Sequence, residues 1–149
     1  MVRRLIIGIM VLAGSLSSCD TTEDPPPAIA GGVINGQIDG AAWSSAYAQF
    51  AQPSPSTVAF YAGRDNAGNP TEIGIQIQGY DSLGAYPFND TARRAYLYVN
   101  GIYYFANSGN AVVTQNDSIW FRTTFSFSAT DSAGTGTHTA SGKFDYKKK

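Results

Sequence analysis

The sequence predicts an all-β domain, an antiparallel β-sandwich or partly open barrel of about eight or nine strands. Three observations predict it. From about Gly31 onward, apolar and polar residues alternate with period two. Turn signals recur between the alternating runs, and the 149 residues include 16 Gly and 7 Pro, many for a helical protein. No stretch sustains a long helical periodicity. Hydrophobic residues reach 43% and aromatics 13% against 14% charged, which excludes a disordered polyampholyte.

Val33 to Ile38 reads as a first strand, and Asp39-Gly40 as a two-residue hairpin turn whose sites accept positive φ. Trp43 to Phe50 reads as the returning strand, with Trp43, Ser45, Tyr47 and Gln49 on one face, and Pro53-Ser54-Pro55 breaks it. Thr57 to Ala62 is the third strand, and Asp65 to Pro70 a turn cluster. Ile73, Ile75 and Ile77 alternate with Gly74, Gln76 and Gln78, the cleanest half-buried strand in the chain.

Gly79 to Arg94 is looser. Gly84-Ala85-Tyr86-Pro87-Phe88 reads as a connection, and Asn89 to Arg94 as one short helical turn. Ala95 to Val99 is a strand, then Asn100-Gly101 a turn, then Ile102 to Phe105 a strand. Asn107 to Asn110 reads as another turn before a short strand, Ala111 to Val113. Ile119, Phe121, Thr123, Phe125 and Phe127 share one face of a long strand, with Trp120 and Arg122 on the other. Thr137 to Tyr146 closes the domain with Phe144 and Tyr146 inward.

The N-terminus has a different character. Met1-Val2-Arg3-Arg4 is basic, Leu5 to Gly14 is apolar, and small residues lead to Cys19. That is the layout of a signal peptide. The apolar run is about half of the roughly twenty residues a bilayer-spanning helix needs. Leu16-Ser17-Ser18-Cys19 resembles a bacterial lipobox. The resemblance implies cleavage before Cys19 and acylation of Cys19, with the acyl chains holding the protein on a membrane. Each buried CH₂ contributes about 0.8 kcal/mol, so several chains on one residue make a lasting tether. A buried structural cysteine and a plain secretory signal are the competing readings.

These features divide the chain into four parts: a signal peptide, 1–18; the lipidated Cys19 with an acidic, Pro-rich tether, 19–30; the all-β domain, 31–146; and a basic tail, 147–149. The leader carries Arg3, Arg4 and no acidic residue, so its removal shifts the net charge from −1 to −3. A mildly acidic domain argues against nucleic acid as a partner.

Asn35-Gly36 with Trp43, Gly84-Ala85-Tyr86-Pro87-Phe88, Phe125-Ser126-Phe127-Ser128-Ala129 with Gly134, and Gly142-Lys143-Phe144-Asp145 follow one another along the chain. In this order, and behind a lipobox, the motifs resemble those of small Bacteroidota lipoproteins, a family of unknown function. The resemblance implies a lipid-anchored protein of the bacterial cell envelope, with the outer membrane, periplasmic or surface face, favoured. It supplies no catalytic residues. The stretch Tyr96 to Phe105 is more aromatic than the family pattern.

Little else carries chemistry. One Cys excludes an internal disulfide and multi-Cys metal sites, and one His excludes His-pair zinc motifs. His138 lacks a companion nucleophile motif, and the domain's carboxylates sit mostly at turns. We therefore expect no enzyme activity, no cofactor and no metal. The aromatic side chains, 2 Trp, 9 Tyr and 8 Phe, exceed what one core face per strand needs. Trp43, Tyr96, Tyr98 and Trp120 are the binding residues this surplus suggests, because exposed aromatic patches mark binding sites. Packing of the same rings inside a doubly buried strand or an aromatic-filled barrel is the alternative. The functional expectation is a noncatalytic binding module for a glycan, a peptide or an envelope protein. The runner-up is a structural or assembly accessory with no small-molecule ligand.

Overall fold

The structure, a computed structural model, describes residues 32–66, 69–88 and 91–148. The leader, Cys19 and the Pro-rich tether lie outside the described residues, as do Asn89 and Asp90 of the expected helical turn.

Among the described residues, ten strands form one antiparallel sheet: β1 Gly32–Ile38, β2 Ala41–Ser44, β3 Tyr47–Ser54, β4 Thr57–Asn66, β5 Asn69–Gln78, β6 Gly84–Pro87, β7 Arg93–Val99, β8 Ile102–Asn116, β9 Trp120–Asp131 and β10 Thr137–Lys147. The hydrogen-bonded path runs β2-β1-β10-β9-β8-β7-β5-β4-β3, and β6 adds to β8. Its two ends, β2 and β3, are consecutive in the chain. At the bend between them, Ser45 N–H donates to Ile34 O at 2.9 Å and Ala46 N–H donates to Gly63 O at 2.8 Å. One bent segment thus leaves β1 and joins β4, and the sheet curls into a partly open barrel.

The curl brings distant strands together over an apolar interior. Phe60 of β4 stacks on Phe144 of β10, with centroids 4.5 Å apart and planes 7° apart. Phe50 of β3 lies 4.6 Å from Phe121 of β9. Ile73, Ile75 and Ile77 face the same core, as their spacing predicts. Burying one such side chain contributes about 1.5–3 kcal/mol.

Two hairpins follow the predicted turn chemistry. Asp39 and Gly40 have φ of 50° and 77°, and Asn100 and Gly101 have φ of 50° and 88°. Positive φ at both central sites is the turn whose twist matches paired strands.

Other expectations are corrected. The predicted strand Trp43 to Phe50 is broken at Ser45–Ala46, and the break reverses facing: Trp43 and Ser45 are buried, while Tyr47 and Gln49 are exposed. Pro53 does not end its strand. It sits in β3 where the register slips between Ala51 and Ser54, a tolerated place for a residue without an N–H. Gly84 to Pro87 is a strand paired with Val113 to Asn110, not a connection. Arg93 and Arg94 open β7 rather than closing a helical turn. The expected turn at Asn107 to Asn110 lies inside one long β8, with a bulge between Ala106 and Ser108 and with Gly109, at φ 116°, paired with Phe127. Ile119 is exposed, because Asp117 Oδ1 accepts the Ile119 and Trp120 N–H groups at 2.7 Å and turns the chain just ahead of β9.

Candidate functional site

Strand alternation decides which rings are outside. On β7, Ala95 and Leu97 point into the core, so Arg94, Tyr96 and Tyr98 share the outer face. The turn at Asn100-Gly101 pairs Tyr98 with Tyr103 and Tyr96 with Phe105. These four rings pack side by side. Tyr98 and Tyr103 have centroids 4.7 Å apart, Tyr96 and Tyr103 5.6 Å, and Tyr103 and Phe105 6.2 Å with planes 16° apart. Tyr103 and Phe105 keep 51% and 55% of their surface exposed. The result is an aromatic platform on the outside of the barrel.

The platform continues toward β3 through a carboxylate. Glu72 of β5 lies opposite Tyr98. It accepts hydrogen bonds from the Tyr96 hydroxyl and, at 3.3 Å, from the Tyr47 hydroxyl. Glycines make room for these rings. A Cβ at Gly74 would stand 2.1 Å from Tyr96 Cε1, and one at Gly63 would stand 2.2 Å from the Tyr47 oxygen. Neither glycine is needed for its φ. Each is the seat of a tyrosine lying across the sheet.

The Tyr96 hydroxyl is pushed well above the usual phenol range, first by burial and then by the neighbouring Glu72. A phenol so disposed keeps its proton and donates; it is poorly placed to act as a nucleophile. The arrangement sets flat apolar faces beside fixed hydrogen-bonding groups.

At one end of the platform, beyond Phe105, a cleft of about 420 Å³ opens between β7 and β8. Arg93, Arg94, Phe88 and Asn107 are among its lining residues.

Of the four rings expected from the sequence, the structure brings together Tyr96 and Tyr98. Trp43 is 6% exposed and belongs to the core, which corrects its expected role as a surface contact. Trp120 is half-buried under the Arg122 guanidinium, 4.5 Å from its ring, at the start of β9. Phe105 pairs with Thr130, ten residues further along that strand, so Trp120 lies roughly 30 Å away along β9. Tyr47, Tyr103, Phe105 and Glu72 were not singled out by the sequence reading. The signal for two of them was present: a two-residue turn at Asn100-Gly101 forces Tyr103 and Phe105 opposite Tyr98 and Tyr96.

The turn carboxylates do local work. Asp131 accepts bonds from Thr135 Oγ1, Thr135 N–H and Gly136 N–H, which hold its carboxyl below the usual range. Asp39 ties the first hairpin to β10, accepting Thr139 N–H at 2.8 Å and meeting His138 Nδ1 at 2.5 Å. Among the described residues no three metal-ligating side chains converge.

No family model, no curated protein and no solved structure matches this chain.

Proposed function

We propose that this chain is a lipid-anchored protein of the bacterial envelope whose β domain is a noncatalytic glycan-binding module. The anchor rests on the sequence: the basic start, the apolar run and Leu16-Ser17-Ser18-Cys19 in register. The binding role rests on one observation, the contiguous rings of Tyr96, Tyr98, Tyr103 and Phe105 on the outer face of a sheet that already has a filled core. These rings are not spent on folding in the way the core rings are. Tyr103 and Phe105 still expose about half of their surface, and a contiguous exposed apolar patch is what interaction sites present.

A glycan fits that surface better than an apolar peptide. The C–H faces of pyranose rings match aromatic faces, and their hydroxyls need polar partners close by. Glu72 and the Tyr47, Tyr96, Tyr98 and Tyr103 hydroxyls supply such partners within the platform. The tether of residues 20–27, rich in acid and proline, would present the domain at a distance from the lipid.

Two measurements test the proposal. Radiolabelled palmitate should enter the wild type in a bacterial host and not Cys19→Ala; equal labelling removes the anchor. On an array of envelope and extracellular glycans, the wild type should be retained and Tyr103→Ala should lose about tenfold in affinity while staying folded, with a loss of no more than about 1 kcal/mol in stability. Retention of a protein partner instead, with no glycan bound, would favour the assembly role.

A further inference from the structure

Register orders the platform. Tyr47 of β3 pairs with Gly63, Gly63 with Glu72, Glu72 with Tyr98, and Tyr98 with Tyr103. These five residues form one row across β3, β4, β5, β7 and β8, at right angles to the strands. Neighbouring strands lie about 4.8 Å apart, so the row spans roughly 19 Å. Glu72 is its middle member, with tyrosines on both sides.

Glu72 is a carboxylate without a cation. The hydroxyls of Tyr96 and Tyr47 donate to its two oxygens, Oε1 and Oε2 respectively. An ionised carboxylate has about four acceptor sites, so about two remain. Among the described residues no ion pair reaches it: Arg122 and Lys143 pair with Asp145, and His138 with Asp39. Arg64 adjoins Gly63 on β4 but faces the other way, its guanidinium carbon 5.9 Å from the ring centre of the buried Trp43. Arg94 shares the outer face but stands opposite Gln76, four residues along β5 from Glu72. That is roughly 13 Å, beyond the screening length of about 8 Å at physiological salt. Residues 65–69, whose side chains lie outside the described part, include no cation.

The surroundings favour a positive charge at this spot. Directly opposed residues have Cβ atoms about 5 Å apart, so a cation on Glu72 also meets the Tyr98 ring. Tyr96, Tyr98 and Tyr103 contact one another there, and the face of each ring is the negative part of its quadrupole. A half-buried carboxylate gains from a charge-assisted hydrogen bond that water supplies less well.

We infer that the glycan taken by the platform is an amino-sugar chain with free amines, one unit setting its ammonium on Glu72 and its pyranose face against Tyr98 and Tyr103. The inference deepens the glycan-binding reading and rests on it. An N-acetylated unit brings no charge, and a uronic unit would bring a second carboxylate to Glu72. A lysine side chain would bring the charge without flat faces for the rest of the row.

The test compares chitosan oligosaccharides with cello-oligosaccharides of equal length. The two chains share their linkage and differ in one group per unit, an amine in the first and a hydroxyl in the second. Calorimetric titration of the full-length chain, at low salt and at a pH that keeps the amines charged, should show chitosan chains binding about tenfold more tightly. The preference should shrink as salt rises and vanish where the amines are neutral. Glu72→Gln, which keeps an oxygen for the tyrosine hydroxyls, should bring the ratio of the two affinities to about one. Tyr103→Ala should weaken both chains. The salt and pH dependence is read on the wild type, so it decides the matter even where Glu72→Gln does not fold. Equal binding of the two chains by the wild type overturns the inference while the platform stands. A preference that survives Glu72→Gln, or that survives neutral amines, overturns Glu72 as the seat of the charge. Undiminished binding of both chains by Tyr103→Ala overturns the platform. Oligolysine bound through Glu72, with cello-oligosaccharides unbound, overturns the glycan and leaves a peptide site. No binding of either chain overturns the inference, and the glycan array then decides the platform by itself.

Discussion

The outer half of the Tyr96 ring fills the space that a Cβ at Gly74 would need, so the tyrosine lies across the neighbouring strand instead of standing off the sheet. The contact puts the Tyr96 hydroxyl on Glu72 and fixes one side of the platform. An absent side chain on β5 thereby sets the position of a ring on β7.

Gly74→Ala tests that relationship. In an extended strand this change usually stabilises, by about 0.4–1 kcal/mol, because it restricts the unfolded chain. Here the added methyl must displace Tyr96, and we expect a net loss of about 1–2 kcal/mol in urea unfolding. A raised urea midpoint would show that the ring yields freely.

Ser45 anchors the bend between β2 and β3 to β1 with two bonds to one residue. Its Oγ accepts the Ile34 N–H at 2.9 Å while its own N–H donates to Ile34 O. Ser45→Ala leaves the buried Ile34 N–H without an acceptor, at a cost of about 1–3 kcal/mol. Chemical denaturation should show this loss with an unchanged slope. Wild-type stability in the alanine variant would mean that the seam is held elsewhere.

Asp39 makes part of the stability depend on pH. Burial acts to raise its pKa, but the Thr139 N–H and His138 together outweigh it and hold the carboxyl below its usual range. A group lowered in the folded state contributes fully above its unfolded pKa and loses that contribution as pH falls through the folded one. The stability difference between wild type and Asp39→Asn should therefore be largest above about pH 5 and shrink as acid is added. A difference that stays constant down to the acid transition would contradict this.

Much of the fold is legible because local chemistry and burial agree. Asp39-Gly40 and Asn100-Gly101 demand positive φ and receive it, and the isoleucines of β5 keep one face. The failures have physical reasons. Trp43, Ser45, Tyr47 and Gln49 alternate as one strand would, but Ser45 bonds to β1 and Ala46 to β4, and the change of partner reverses the facing. Asn107-Ser108-Gly109-Asn110 has turn composition, yet the segment continues β8 past a bulge, and Gly109 takes its positive φ opposite Phe127, where a Cβ would stand 2.2 Å from Ser126 O. Long-range pairing with β9 decides that, and no local pattern encodes it.

The site was half legible for the same reason. Period two places Tyr96 and Tyr98 together, and the tight turn adds Tyr103 and Phe105 by register. Glu72 and Tyr47 reach the platform only through pairings between β3, β4, β5 and β7. Trp43 precedes the bend at Ser45–Ala46 and faces the core from β2, so its ring serves packing and not the platform.

Nuclear magnetic resonance of the isotope-labelled full-length protein gives the most direct check of the platform. Cello-oligosaccharides and chitosan oligosaccharides would be titrated in turn. Shifts confined to Tyr96, Tyr98, Tyr103, Phe105 and their strand neighbours, with the Trp43 and Trp120 indoles still, are the predicted result. Shifts centred on Trp120, or glycan binding that leaves the β7–β8 rings unmoved, would contradict it.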